Sequence, residues 1–520
     1  DTTFDFNPKG HRETNYVLLG IAFLILFIAG INFTNLTTSL IPLRLKTINT
    51  HRVLGCSIYK LQAISLIESI VICLISYILA LFIVNDLSYT PIANWVDADI
   101  RLSQYKGLIL LTALIAILTG CLAGLYPAIR STSYAPALVL KGSFGLSPKG
   151  KKVRVALIGF QYTVSIALII VTLFMGLQNH FMTSSEQLGF NKDQVAIVNL
   201  TPEIYAKHKP QYIQKLKDYP GIEDVAFSVY ELSKEDDMID LEYARHEDKD
   251  VFFKVFYASE NFLSVMDIQV EEGRDFTRED LNKAQSDYII NPAAERDFHL
   301  HPGDRFNDRT VLGVSKDFRF NSCRIASSPF VFALNNDIPN PKLVSYIRFN
   351  SKTNLQEAVA HVRETLKEID PTFPFEISFY NTILNNLYQK EQTLGKLISL
   401  FGIMAILISI VGVFGLVLFE TQYRRKEIGI RKINGATTGQ ILLMFNKTYI
   451  RIVSVCFIIS IPIAWMGTQQ WLENFAYKTP LHLWVFIVAF LIILSVTIGT
   501  VTFRNWQAAN ENPVNSVKSE

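Results

Sequence analysis

The sequence is short of charge and of cysteine, and each shortage excludes something. Asp, Glu, Lys and Arg make up 18% of its 520 residues, against about 25% in an ordinary soluble protein. A soluble chain of this length would leave much of its 49% hydrophobic complement, 36 Phe among it, outside any core it could build, so the excess faces lipid. The five cysteines, Cys56, Cys73, Cys121, Cys323 and Cys456, are too few for a disulfide scaffold and too far apart for a CxxC metal site. His299, His301 and His361 are scattered without an HExxH pattern, and no GxSxG or Ser-His-Asp arrangement stands out, so neither a catalytic nor a metal site is expected. Gly145–Lys151 fits the first seven positions of a phosphate-binding loop. Lys152 then stands where a Ser or Thr would hold Mg²⁺, and no strand precedes it. The segment reads as a flexible basic connector. The chain is expected to bind no cofactor of its own, and nothing in it points to nucleic acid.

What is present is a set of long apolar runs. Seven reach the roughly 20 residues that a bilayer-spanning helix needs: 16–41, 61–84, 107–127, 155–178, 393–419, 440–466 and 482–503. The least apolar, 440–466, carries Asn446, Lys447 and Arg451 near its start, where long side chains can snorkel to the interface. Basic residues set the orientation. The loop 42–60 has Arg44, Lys46, Arg52 and Lys60, the connector 128–154 has six Lys and Arg, and 420–439 has Arg424, Arg425, Lys426, Arg431 and Lys432, so these three lie in the cytoplasm. Alternating the spans puts 179–392 outside. Residues 180–392 hold 24 Lys and Arg against 35 Asp and Glu, a net of −11, so the rest of this +2 chain carries +13. The near-neutral total hides an acidic outer domain cancelling a basic membrane part.

The chain also repeats. Arg44–Ser57 lies over Arg424–Thr437 at a constant offset, Lys46 on Lys426, Ile48 on Ile428, Arg52 on Lys432 and Gly55 on Gly435. Each loop follows one span and precedes two more, and each trio ends in a tail with Pro and Lys, Pro136–Lys141 and Pro513–Lys518. The expected order is 1–15 as the remnant of a first outer domain, 16–142 as a three-span unit, 143–154 as connector and 155–178 as the first span of the second half. An outer α+β domain over 179–392 and a second three-span unit with its tail over 393–520 complete it. By this reading the first half lacks its opening span and roughly 240 residues, and the chain, which begins with Asp1, is a piece of an eight-span protein.

These residues resemble the FtsX/MacB-type ABC transporter permease family in its double-length, eight-span form. The resemblance rests on Arg424–Thr437, on Gly124-Leu-Tyr-Pro-Ala128 with Leu140-Lys-Gly142, and on Phe160-Gln161. In the outer domain it rests on Glu272–Phe276, Ile290–Ala294 and Leu312–Phe318. The fold it implies is an α-helical transmembrane bundle with an α+β extracytoplasmic domain in the bacterial inner membrane. The implied function is that of a permease subunit, driven by a separate cytoplasmic ABC ATPase in two copies that holds the ATP and Mg²⁺. The implied work is mechanical, on the periplasmic side, for export of peptides, toxic compounds or lipoproteins, with a periplasmic adaptor and outer-membrane channel as further partners. A non-transporting scaffold that controls a periplasmic partner such as a cell-wall hydrolase is the alternative, and an ion-coupled transporter a third class. Thr47 and Asn49 replace the acid and glycine of the second loop, Glu427 and Gly429, so the two loops need not engage a partner equally.

From the residues alone, 424–437 suits a short interfacial helix. Its basic side chains would face the cytoplasm, Ile428, Ile430 and Ile433 would turn to the spans, and Gly435 would end it. A lipid anchor and, given the resemblance, an ATPase-coupling helix are both open. The coupling candidates are Arg424, Lys426, Glu427, Gly429, Arg431, Lys432 and Gly435, with Lys46, Arg52 and Gly55 in the first loop. Within the spans, Glu68 is the one acid well inside, placed to pair with a loop Arg or to serve an ion pathway. Asn32, Asn35 and Gln161, with Thr34, Thr38 and Ser39, read as interhelical hydrogen-bonders. In the outer domain, Val195–Leu200 and Lys342–Phe349 alternate like half-buried strands, 354–369 reads as a helix, and the acidic run Glu235–Asp240 as a solvated loop.

Overall fold

A computed structural model describes residues 12–90, 93, 101–133, 148–184, 188–233, 240–283, 285–334 and 343–510. Four long helices come first: α1 (Arg12–Val53), α2 (Ile58–Leu87), α3 (Lys106–Thr132) and α4 (Pro148–Thr183). Five shorter ones follow in the outer domain: α5 (Lys209–Lys217), α6 (Phe262–Met266), α7 (Pro292–Phe298), α8 (Leu355–Ile369) and α9 (Tyr380–Leu387). The chain returns through α10 (Gln389–Tyr423), the short α11 (Arg425–Ile433), α12 (Thr438–Leu472) and α13 (Leu483–Asn510). Seven of these are long and apolar enough to cross a membrane: α1, α2, α3, α4, α10, α12 and α13. The chain divides into two compact units. One, the membrane part, holds 1–176, 393–471 and 481–520; the other, the outer domain, holds 177–392 and 472–480.

The lipid-facing surplus of the sequence has a definite address. α2 buries a single side chain, Ser69, and turns Ile67, Ile75, Leu79, Phe82 and Ile83 outward, an apolar surface stable only against acyl chains. It is held through its small residues. A Cβ on Gly124 of α3 would lie 2.5 Å from Ser69 Cβ, and one on Gly120 3.0 Å from the backbone of Ile70, so α2 and α3 meet nearly backbone to backbone. Lys447 and Arg451 of α12 are exposed at its cytoplasmic end, while Asn446 donates to Thr502 Oγ1 at 2.9 Å. The connector expected over 143–154 is helical from Pro148 onward, because nothing from Lys149 to Val155 breaks the helix that becomes the span. The first four residues of the phosphate-loop lookalike after Ser147 are therefore the opening turn of α4, and 145–147 lie outside the described residues. Of the supposed remnant 1–15, residues from Arg12 onward are the first turn of α1.

The outer domain is one mixed sheet. Its strands are β1 (Val195–Leu200), β2 (Ile222–Ser228), β3 (Asp240–His246), β4 (Lys249–Ala258), β5 (Val270–Gly273), β6 (Tyr288–Ile290), β7 (Arg305–Phe306), β8 (Arg309–Ser315), β9 (Phe330–Leu334), β10 (Leu343–Phe349) and β11 (Ile377–Phe379). The order is β11-β1-β10-β2-β4-β9-β6-β8-β5, with β3 on β4 and β7 on β8. Pairs β4–β9 and β6–β8 are parallel and the rest antiparallel. α8 forms where expected: Asn354 caps it by accepting from the Gln356 N–H, and Ala358, Val362 and Leu366 recur at helical spacing on its buried face. β10 departs from the alternation expected of it and is buried at every residue from Leu343 to Phe349. Leu343, Ile347 and Phe349 join α5 and α8 on one face, and Tyr346 meets Phe262 of α6 and Tyr380 of α9 on the other. A strand covered on both faces needs no polar side. The acidic run's residues 235–239 lie outside the described residues; Asp240 opens β3.

Candidate functional site

The two cytoplasmic turns are built alike, bond for bond. In the first, the Gly55 N–H donates to Arg52 O and the Cys56 N–H to His51 O, each at 3.0 Å. In the second, Gly435 donates to Lys432 O at 3.0 Å and Ala436 to Arg431 O at 2.9 Å. Both are Schellman endings, which need a left-handed residue at the turn. Gly55 and Gly435 supply it at φ +91° and +88°. Ser57 then caps α2 by accepting from Lys60, and Thr437 accepts from Gln440 at the head of α12. The side chains then diverge. Arg52 donates to the Thr132 carbonyl at 3.2 Å, which ties the first turn to the end of α3. Arg44 makes a two-bond ion pair with Glu68, 2.8 Å at each oxygen, so the acid is held by an arginine that was expected in a loop and lies in the unbroken helix α1. Arg424, at the start of α11, instead turns back to Glu420 at 2.9 Å, and Tyr449 OH donates to the same carboxylate.

α11 itself shows which faces are free. Ile428 and Gly429 are buried, and Arg431 and Glu427 pair at 2.8 Å on the exposed side. Ile430 and Ile433, expected to turn to the spans, are 55% and 65% exposed. At 100° per residue they lie about 160° and 140° around the helix from Ile428, so one face cannot hold all three. The first turn likewise exposes Val53 and Leu54. Lys426 lies within α11 and Lys46 within α1.

The intramembrane polar residues fall into three sets. Asn32 Nδ2 donates to Ile408 O of α10 at 2.6 Å, and Thr34 Oγ1 to Ala123 O of α3 at 2.8 Å, both across helices. Thr38 and Ser39 instead donate one turn back, to Thr34 and Asn35 carbonyls. Asn35 Nδ2 and both amide atoms of Gln161 are buried without a hydrogen-bond partner.

Pattern reading missed a third place, where the outer domain gathers its leads into the membrane. The nine residues 472–480 that link α12 to α13 belong to the outer domain. Gln178, fully buried at the end of α4, accepts from the Thr479 N–H at 2.8 Å and donates to Tyr477 O at 3.0 Å. The Tyr477 N–H donates to Cys323 O, and its ring lies 4.1 Å under the Arg319 guanidinium. Arg324 sits over Phe475 at 4.9 Å and donates to Glu391 at the start of α10 at 2.7 Å. Tyr388 OH accepts from the Cys323 N–H, and burial pushes the tyrosine hydroxyl well above its usual range and the Cys323 thiol up. Segment 319–327 thus fastens the end of α4, the start of α10 and the α12–α13 link. The signal in the sequence was faint: Phe475 and Tyr477 lie next to span ends, but Arg319 and Arg324 lie deep in the outer domain's sequence.

One further grouping corrects the reading of His301 as isolated. β5, α7 and the turn after it bring Glu272, Glu295 and His301 together, with ligand atoms within 4.8 Å of one another and His301 Nδ1 3.5 Å from Glu295. All three are exposed or half-exposed, a juxtaposition that by itself assigns no ion.

Comparison with known proteins places this architecture. Residues 19–136 and 399–513 each match the family described as FtsX-like permease C-terminal, and these are the two halves that the repeat marks out. The chain is 25% identical over 212 residues to the macrolide export ATP-binding/permease protein MacB of Aggregatibacter actinomycetemcomitans, covering 38% of this chain and 32% of the relative. It is equally similar to MacB of Neisseria gonorrhoeae over 223 residues, 40% of this chain and 34% of that one. The chain thus spans about a third of the length of the curated relatives it matches. Among solved structures, the periplasmic region of MacB from Actinobacillus actinomycetemcomitans aligns with 38% of this chain and 94% of its own, at 15% identity and a TM-score of 0.29. The extracellular domain of the transporter YknZ aligns with 35% and 99%, at 15% identity and 0.27. The protein is a multi-pass inner-membrane protein with a periplasmic α+β domain.

Proposed function

Starting from a chain whose two membrane halves belong to the FtsX-like permease family, we propose that it is the permease subunit of an ABC transport complex. In this reading a separate cytoplasmic ATPase, in two copies, binds and hydrolyses ATP, and this chain turns the motion into work by its periplasmic domain, for export of peptides, toxic compounds or lipoproteins. The observation that carries the reading is the pair of cytoplasmic turns. Each ends on the same Schellman bonds, each is basic, and each leaves large apolar side chains uncovered by the rest of the chain: Val53 and Leu54 in one, Ile430 and Ile433 in the other. An apolar tip ringed by Arg431 and Lys432 suits a protein groove with an acidic rim. The 319–327 hub supports the mechanical half of the proposal, because displacement of α4, α10 or the α12–α13 link reaches the domain through one segment.

The test is recovery of a cytoplasmic ABC ATPase with this chain. The double variant Glu427→Lys with Arg431→Glu keeps the intrahelical pair but inverts the surface. It should lower ATPase co-purification about tenfold, equivalent to 1.4 kcal/mol. Undiminished recovery with normal folding would remove the coupling role. An adaptor and outer-membrane channel as further partners are tested by whether they co-purify with the same complex.

A further inference from the structure

Three amides in the membrane part are notable for what they do not bond. Asn32, Asn35 and Gln161 are each more than nine-tenths buried. Asn32 Oδ1, Asn35 Nδ2 and both amide atoms of Gln161 have no hydrogen-bond partner. Inside a bilayer such groups are costly to leave unpaired. Asn32 and Gln161 meet at one seat, and Asn35 lies one turn along α1 from it. Asn32 donates to the Ile408 carbonyl, at the start of the α10 turn that ends on Gly412. A Cβ on Gly412 would run into Asn32 Oδ1 and come within 3.0 Å of Gln161 Oε1. One turn further on, a Cβ on Gly415 would run into the Leu36 side chain. On the α4 side the same helix shows Ser409, bonded to Ser165 at 2.9 Å, and Gly402, whose Cβ would lie 3.3 Å from Thr172 Oγ1. α10 therefore turns Gly402, Ala405 and Ser409 to α4 and a short strip of Gly412 and Gly415 to α1.

We propose that α1 has two registers on this strip. In the one described, Asn32 fills the seat at Gly412 and Asn35 is idle. In the other, α1 has moved outward by the interval from Asn32 to Asn35, and Asn35 Nδ2 takes over the bond to the Ile408 carbonyl. Three residues are about 4.5 Å of rise, and about 60° of rotation restores the facing side. A slide of this size past a packed neighbour is a known switching geometry. The spacing supports it: two Asn donors stand three residues apart on α1 and two glycine gaps three residues apart on α10, filled in this register by Asn32 and Leu36, and both helices run in the same direction through the membrane. Gln161 keeps an unpaired donor and an unpaired acceptor beside the seat, neither of them taken up by Asn32 in the register described. The idea does not depend on the ATPase reading; it concerns only the seam between the two halves.

Disulfide trapping in native membranes tests it, in a chain whose five native cysteines are replaced by Ala. The pair Leu36→Cys with Gly415→Cys reports the register described. The pair Ser39→Cys with Gly415→Cys reports the shifted one, because Ser39 reaches the place of Leu36 after a three-residue slide. Both cross-links should form, the second more slowly, and adding Asn35→Leu should abolish the second while sparing the first. The proposal fails if the second cross-link never forms, or if Asn35→Leu leaves it unchanged. Thermal unfolding in detergent gives an independent reading. Asn35→Leu removes a buried donor that has no partner, so the midpoint should rise; a fall would mean that Asn35 is bonded at rest and would equally overturn the two registers.

Discussion

At the cytoplasmic end of the first half, Arg44 reaches across to Glu68 on the following span. In the second half, Arg424, 380 positions later, folds back to Glu420 on its own helix, where Tyr449 of the following span also donates. The backbone of the two turns is the same and the charge wiring is not. In the first half α1 runs unbroken from Arg12 to Val53 into its turn, which is tied to α2 and α3 by side chains. In the second half the helix breaks between Tyr423 and Arg425, and α11 is a separate piece. Duplication preserved the hydrogen bonds that end a helix, because those are fixed by one glycine and the backbone. The ion pairs were free to differ, because any nearby carboxylate neutralises an arginine.

This contrast can be broken by experiment. The largest expected difference is in partner recovery: Glu427→Lys with Arg431→Glu should lower it about tenfold, whereas the matching Thr47→Lys with His51→Glu should change it by no more than about twofold. Equal losses would mean that both turns seat a partner alike. Next, Glu420→Gln should destabilise the detergent-solubilised chain by about 1.5 kcal/mol, because its well-buried carboxylate holds both Arg424 and Tyr449. Glu68→Gln, at a pair nearly half exposed on both sides, should cost about 0.5 kcal/mol. Thermal midpoints of the two variants decide the order. A smaller and equal effect belongs to the shared backbone: Gly55→Ala and Gly435→Ala should each cost about 1 kcal/mol, since an L side chain at positive φ is strained. Unequal midpoints would show that the turns are not equivalent.

The smallest effect is that of mild acid. In the outer domain Arg274 donates twice to Asp280, at 2.7 and 2.8 Å, and holds its carboxyl far below the ordinary value of 3.8. A depressed folded value stabilises above the unfolded one and is lost as pH falls toward the folded one. Asp280 should therefore add no pH dependence between pH 8 and 5. Its contribution to domain unfolding should weaken only below about pH 4, and Asp280→Asn should flatten that acid limb.

Much of this was legible in the sequence, and for local reasons. Spans, orientation and repeat follow from apolar length, basic loops and a constant offset, none of which needs tertiary contacts. Gly435 announced its own turn. What escaped depends on contacts that no window contains. Gln178, Arg319 and Tyr477 meet across hundreds of positions. The exposure of Ile430 and Ile433 depends on which side of α11 faces the spans, and the apolar face assigned to all three isoleucines is narrower than they need. β10 looked half-polar because Ser345 and Arg348 interrupt it, yet Arg348 is buried and donates to the carbonyls of Val265 and Asn191.

The nine residues between α12 and α13 also bear on how the outer domain can be taken apart. It is discontinuous: a fragment cut at 177 and 392 would carry Gln178, Arg319 and Arg324 but neither Tyr477 nor Phe475. Two guanidinium groups would lose the rings beneath them, and a buried amide would lose both of its bonds. Such an excised domain would fold around its sheet but with a frayed patch where segment 319–327, the end of α4 and the start of α10 meet. Adding 472–480 back as a separate peptide should restore order there, and nowhere else in the fragment.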